Sequence, residues 1–212
     1  MDNPWEKIDL NIYETHMASN NVFQLQTLNS ITKGQINDYI HTRVLILGIA
    51  GGNGLEHIDL SNTEKIIGID INSHYLNICK KRYPQLSNIL ELACCDLNNS
   101  DIVLPYSDIM ICNLIIEYIG MNKFIDLVRN NQENVNIITI VIQKNNSNDF
   151  VSNSKFTSSL GLLGTIHHDI DEEILLIQFI KIGFKCINKT SYPLPNGKEF
   201  IRMDFNKKQN AV

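Results

Sequence analysis

No apolar run in this chain is long enough to cross a bilayer; the longest, Val135 to Ile142, is short and broken by Asn136. There is no excess of basic charge: 18 Lys and Arg face 23 Asp and Glu, for a formal net charge of −5. A pI near 5.6 lacks the basic face that a nucleic-acid binder presents. The tightest basic cluster, Lys80, Lys81 and Arg82, reads as a solvated helix face. C-x-x-C pairs are missing as well. The five cysteines, Cys79, Cys94, Cys95, Cys112 and Cys186, suit reduced, buried thiols better than a disulfide frame. The adjacent Cys94 and Cys95 read as small apolar residues ending a strand. The opening stretch MDNPWEKIDL has acids and no apolar core, so it does not read as a secretory signal. The expectation is a cytoplasmic protein without a membrane or nucleic-acid partner.

What is present is a globular composition, with 43% hydrophobic and 19% charged residues in 212, enough for one domain with a full core. Apolar residues at helical spacing run from Trp5 to Met17, and Ser19 or Asn20 offers a cap to a second helix carrying Val22, Leu25 and Leu28, ended near Gly34. Residues 1–41 form a helical flank or lid in this reading, and 42–212 the main domain. The strands RVLIL, KIIGID, NILELA, SDIMICNL and NIITIVI follow, separated by a short helix at Leu55–Leu60, one from Ser73 stopped by Pro84, and one at Lys123–Asn130. Near-continuous apolar strands alternating with helices predict a parallel sheet covered on both faces. Residues 144–160 are polar and read as a mobile loop at the edge of the site. Asp171 to Glu173 open a last helix that stops at Gly183, and two antiparallel strands meet in a tight hairpin at Asn196-Gly197. The predicted class is α/β: a doubly wound, mostly parallel, seven-stranded Rossmann-like sheet with N-terminal helices and a C-terminal antiparallel hairpin.

The first strand runs into LGIAGGNG, where Gly48, Ala50, Gly51, Gly52 and Gly54 leave almost no side chains. Such clustering marks a place where a ligand approaches the backbone. A phosphate-binding P-loop requires Gly-Lys-Ser/Thr, and here Gly54, Leu55 and Glu56 stand instead. The dinucleotide pattern G-x-G-x-x-G is absent; the spacing is G-x-A-x-G-x-G. Asp70 ends the second strand, where an acid bonds ribose hydroxyls, and this alone keeps a nicotinamide-dependent oxidoreductase in view. Asp96, after the third strand, lies at the distance of an adenine amino group. S-adenosylmethionine has no phosphate to neutralise and fits a glycine surface flanked by such acceptors.

With LGIAGGNG, the acid of GIDIN, the acid of CCDL and the strand end ICNLIIEYI in order, residues 43–143 resemble the class I S-adenosylmethionine-dependent methyltransferases. The resemblance implies that Gly48, Ala50, Gly51, Gly52 and Asn53 line the methionine side, Asp70 and Ile71 the ribose, and Asp96 with Leu97 the adenine. It places Asn113 and Leu114 under the sulfonium and Tyr13 in a helix closing over the cofactor. Two departures stand out: Ile46 occupies a position where many relatives carry an acid, and Ala50 that of the middle glycine. For methyl transfer the acceptor-side candidates are Glu117 and Tyr118, with His16 from the leading helix. The sequence HHD at 167–169 is too compact to chelate one metal, so no metal is expected. No D/N-P-P-Y run follows strand four, which again disfavours nucleic acid; the expected acceptor is a small molecule, for a monomer or homodimer. The alternative is a module of the same fold that binds the cofactor without turnover.

Overall fold

The segment RVLIL forms β1 (Arg43–Leu47) at the middle of the sheet, and its side chains divide between two cores. The computed structural model describes residues 3–99, 101–146, 150–152 and 157–207. In it Val44 and Ile46 pack on one face, Leu45 and Leu47 on the other. Successive strand residues point to opposite faces, so a strand covered on both sides must be apolar throughout. Lys65–Asp70 (β2), Leu90–Cys94 (β3), Ser107–Asn113 (β4) and Val135–Lys144 (β5) extend the parallel sheet. Phe184–Pro193 (β6) and Glu199–Lys207 (β7) complete it as an antiparallel pair, in the order β3-β2-β1-β4-β5-β7-β6. This is the α/β, doubly wound, seven-stranded architecture expected from the sequence.

The helices are α1 (Leu10–Ala18), α2 (Gln24–Asn37), α3 (Ser73–Arg82), α4 (Ile116–Ile119), α5 (Met121–Asn130), α6 (Thr157–Leu160) and α7 (Glu172–Lys181). One core joins β1 and β2 to Ile36 of α2 and Leu76 and Cys79 of α3. The opposite core holds Phe124, Leu127 and Val128 of α5 and Leu175 and Phe179 of α7. Strand order reverses between β1 and β4, so the connections after these strands leave to opposite faces and part at their carboxyl ends. A crevice opens there.

Several boundaries differ from expectation for local reasons. The leading helix starts only at Leu10, because the Asp9 carboxylate captures the N–H groups of Asn11 and Ile12 at 2.9 and 3.1 Å. Pro4–Glu6 form a separate 3-10 turn. Ser19 ends α1 by bonding the His16 carbonyl and caps nothing after it; α2 begins past Phe23, which is left-handed at φ 54°. Gly34 does not end α2. It makes room for Arg202: a Cβ there would stand 2.8 Å from the Arg202 guanidinium, which is buried and paired with Asp38 and Asp204. The Leu55–Leu60 helix shrinks to a 3-10 turn, Leu55–His57. The terminal hairpin closes by a Leu194 N–H to Lys198 carbonyl bond, one residue wider on the loop than a two-residue turn at Asn196-Gly197. Of the predicted loop 144–160, Lys144 belongs to β5 and Thr157–Leu160 to α6, while 147–149 and 153–156 lie outside the described residues. Not all thiols are buried: Cys79 and Cys112 are, Cys94 is exposed, and Cys95 and Cys186 are intermediate.

Candidate functional site

The glycine loop is folded by its neighbours at the β2 end. Gly48 and Ile49 donate to the Ile69 carbonyl at 2.8 and 3.2 Å, and Ala50 donates to Asp70 Oδ2 at 2.9 Å. Gly48 (φ 71°) and Gly52 (φ 84°) take left-handed backbone that disfavours side chains, and Ala50 takes it too, at φ 47°. A Cβ on Gly52 would lie 2.8 Å from both Cys79 and Tyr83, so the glycine also lets the loop settle on α3. The second oxygen of Asp70, Oδ1, accepts the Asn72 N–H at 2.8 Å. Burial raises the Asp70 carboxyl above its ordinary range, opposed by the N–H groups of Asn72 and Ala50.

Above this loop lies a cavity at the carboxyl ends of β1, β2 and β4. Gly48, Ala50, Asp70, Ile71, Asp96 and Leu97 are among the residues that line it, and so are Asn113, Leu114, Tyr118 and Tyr13, with Trp5 and Tyr75. Gly51, Gly52 and Asn53 instead line a neighbouring cavity between the loop and α2. The Asn53 side chain is engaged there, accepting from Asn29 at 2.9 Å and donating to the Leu25 carbonyl at 3.0 Å. Asp96 Oδ1 holds its own turn through the backbone and side-chain N–H groups of Asn98, both at 2.9 Å. Asn113 turns its amide back to α2, where it exchanges hydrogen bonds with Gln35 at 2.8 and 2.9 Å. The next residue, Leu114, is left-handed at φ 54° and enters the cavity wall.

The leading segment forms the roof. Asn72 Nδ2 donates to the Trp5 carbonyl at 2.9 Å and the Tyr75 hydroxyl to the Ile8 carbonyl at 2.8 Å. Arg82 grips Glu14 of α1 with two bonds of 2.5 and 2.6 Å. The Trp5 ring meets Tyr13 and Tyr118 edge-on at centroid distances of 5.2 and 4.9 Å.

A further cavity opens past that aromatic cluster, and Tyr13, Leu114 and Tyr118 line both it and the first. His16 and Glu117 face this one, together with Gln143, Phe150 and His167. Glu117 Oε1 accepts the Gln143 N–H at 2.8 Å; Oε2 is buried and finds no hydrogen-bond partner among the described residues. Burial pushes the Glu117 carboxyl up to about 7, with the Asp169 charge adding to the rise. His16 and His167 are held below the ordinary imidazole range by burial, each opposed in protonation by the Lys198 charge. The Tyr118 phenol is shifted well up by the same desolvation. Sequence reading misses Trp5, Gln143 and Phe150 as site residues, and takes His168 of HHD for a helix-start or surface histidine. The structure leaves His168 exposed and stacks His167 on Phe150 at 4.3 Å. Nothing local in the sequence marks Gln143, which follows the apolar run of β5.

No protein-family model matches this sequence, and no curated protein matches it either. Solved structures do. The N-methyltransferase NodS from Bradyrhizobium japonicum WM9, in complex with S-adenosyl-L-homocysteine, superposes with a TM-score of 0.68 at 11% identity, over 98% of this chain and all of that one. Magnesium protoporphyrin IX methyltransferase (ChlM) from Synechocystis PCC 6803, with the same bound product, gives 0.68 at 10% identity over 93% of both chains. The [4+2]-cyclase SpnF gives 0.63 at 11% identity, over 87% of this chain and 82% of its own. The fold is that of the class I S-adenosylmethionine-dependent methyltransferases.

Proposed function

We propose that the chain binds S-adenosylmethionine in the first cavity and transfers its methyl group to a small molecule held in the adjoining one. The observation that carries this reading is the shared wall. Tyr13, Leu114 and Tyr118 border both cavities, so a donor and an acceptor can lie in contact there with water excluded. The cofactor fits the donor set: among the described residues no Lys or Arg lines the first cavity, which disfavours a pyrophosphate, while Asp70 retains lone pairs beyond its two backbone N–H bonds. Gly48 and Ala50 would face the methionine part, Asp70 and Ile71 the ribose, Asp96 and Leu97 the adenine. Asn113 would act through its backbone, Gln35 holding its amide away. Gly51, Gly52 and Asn53 would shape the loop from beneath. When bound, the cofactor supplies an electrophilic methyl carbon on a sulfonium. The chain supplies orientation through Leu114 and Tyr118, exclusion of water through Trp5 and Tyr13, and a proton acceptor at Glu117 or His16. Residues 1–41 would be the lid over residues 42–212.

Calorimetric titration with S-adenosylhomocysteine, with NADH as comparison, tests the reading. Saturable binding of the first ligand alone supports it, and binding of NADH alone replaces it with a nicotinamide site. Cofactor binding with no transfer to any acceptor pool would favour a non-catalytic module; the cyclase of the same fold shows that fold does not dictate reaction.

A further inference from the structure

We infer that the acceptor taken by the second cavity is an amine, bound as its ammonium form between Glu117 and an aromatic wall. The inference rests on the proposed methyl transfer for its chemistry, but the binding site stands on its own geometry. Glu117 is only 2% exposed, and a carboxylate so placed needs a donor for each oxygen. Oε1 has the Gln143 N–H, while Oε2 has none among the described residues. The rings of Tyr13, Tyr118 and Phe150 and the side chains of Met17, Leu160 and Leu163 line the cavity beside it, along with the polar His16, Gln24, Gln143 and His167. Aromatic faces attract a cation, and an apolar floor suits the carbon skeleton attached to it. A neutral alcohol on the same stem gains as much from the apolar floor but less from the rings and the carboxylate. The complementary group is therefore a cationic N–H donor on an apolar stem.

The same arrangement completes the reaction. The ammonium gives a proton to Glu117 Oε2, and the lone pair so released forms the new N–C bond while the S–C bond breaks with its electrons remaining on sulfur. The products are a methylated ammonium, a neutral thioether and a protonated Glu117, which passes its proton to water as the site opens. A carboxyl pushed up to about 7 is matched to this exchange near neutral pH. The charged and titratable groups that bear on it are Asp169, Tyr13 and Tyr118, with His16 and His167 across the cavity and Lys198 acting on both histidines. Lys198 directs its ammonium to the Phe150 carbonyl at 2.8 Å.

The test compares benzylamine with benzyl alcohol, titrated calorimetrically into the whole protein at pH 8, with and without S-adenosylhomocysteine. Benzylamine is expected to bind about tenfold more tightly, the weight of one charge-assisted hydrogen bond. Glu117→Gln, checked for folding by its thermal transition, is expected to erase the preference. In the parent the preference is expected to shrink as pH falls to 5.5 and Glu117 takes a proton, a trend the variant should lack. Equal binding of the alcohol, an amine preference that survives in Glu117→Gln, or failure to bind either probe would each overturn the inference. Amine preference without any S-adenosylhomocysteine binding would leave this site standing and remove the methyltransferase reading. S-adenosylhomocysteine binding without amine preference would do the reverse.

Discussion

Glu117 carries an energetic cost that its surroundings do not offset. Its carboxyl sits at about 7 in the folded chain against an ordinary 4.5, so the folded state holds that proton more tightly than the unfolded one. The stabilisation is complete below pH 4.5, declines as pH rises and is gone above about 7. A shift of this size is worth on the order of 3 kcal/mol. Glu117→Gln should therefore be the more stable protein at pH 8, with the advantage narrowing toward pH 5; urea midpoints at both values check this, and a constant difference would refute it. Asp70 behaves differently because backbone N–H groups meet both its oxygens. Asp70→Ala should weaken S-adenosylhomocysteine binding by about 1–3 kcal/mol, the range for a buried group left unpaired. Unchanged affinity by calorimetry would remove the ribose assignment.

Among the elements, α2 shows best how tertiary packing overrides local preference. In an exposed helix interior Gly→Ala adds about 1 kcal/mol of stability. At Gly34 the added Cβ meets Arg202, whose guanidinium is fixed by Asp38 at 2.9 Å and Asp204 at 2.7 Å. Gly34→Ala should accordingly lower the thermal midpoint; a rise would show that Arg202 yields. The same helix reaches the site through Gln35, fully buried, which bonds both Asn113 and Thr139. It thereby ties the end of β4, where Leu114 turns left-handed, to the middle of β5. Helix periodicity predicted that α2 exists, but its end and its contacts depend on β7, more than 160 residues away.

For the molecule as a whole, the roof over the crevice offers a direct readout. Trp5 is the one tryptophan of the chain and stands in the cavity wall against Tyr13 and Tyr118. Filling the first cavity should change its fluorescence saturably, at a midpoint equal to the calorimetric one and raised in Asp70→Ala. A calorimetric isotherm without any fluorescence response would place the ligand away from the roof and undo the role proposed for residues 1–41.

The sheet, the glycine loop and the acid at the β2 end were legible in the chain because each is encoded within a few residues: apolar runs, left-handed backbone positions, an acid at a strand end. Asp96 and Asn113 were legible in place, though their side chains are engaged by Asn98 and Gln35, which spacing does not reveal. The second cavity was not legible as a unit. Glu117 and Tyr118 lie past β4, Gln143 stands near the end of β5, His16 belongs to α1 and His167 precedes α7. Sequence by itself determined which residues are apolar, acidic or conformationally permissive, since those are properties of single residues and short periods. Only the tertiary structure decided that one Glu117 oxygen is satisfied by Gln143 while the other meets no donor among the described residues, because burial and pairing arise where distant segments meet.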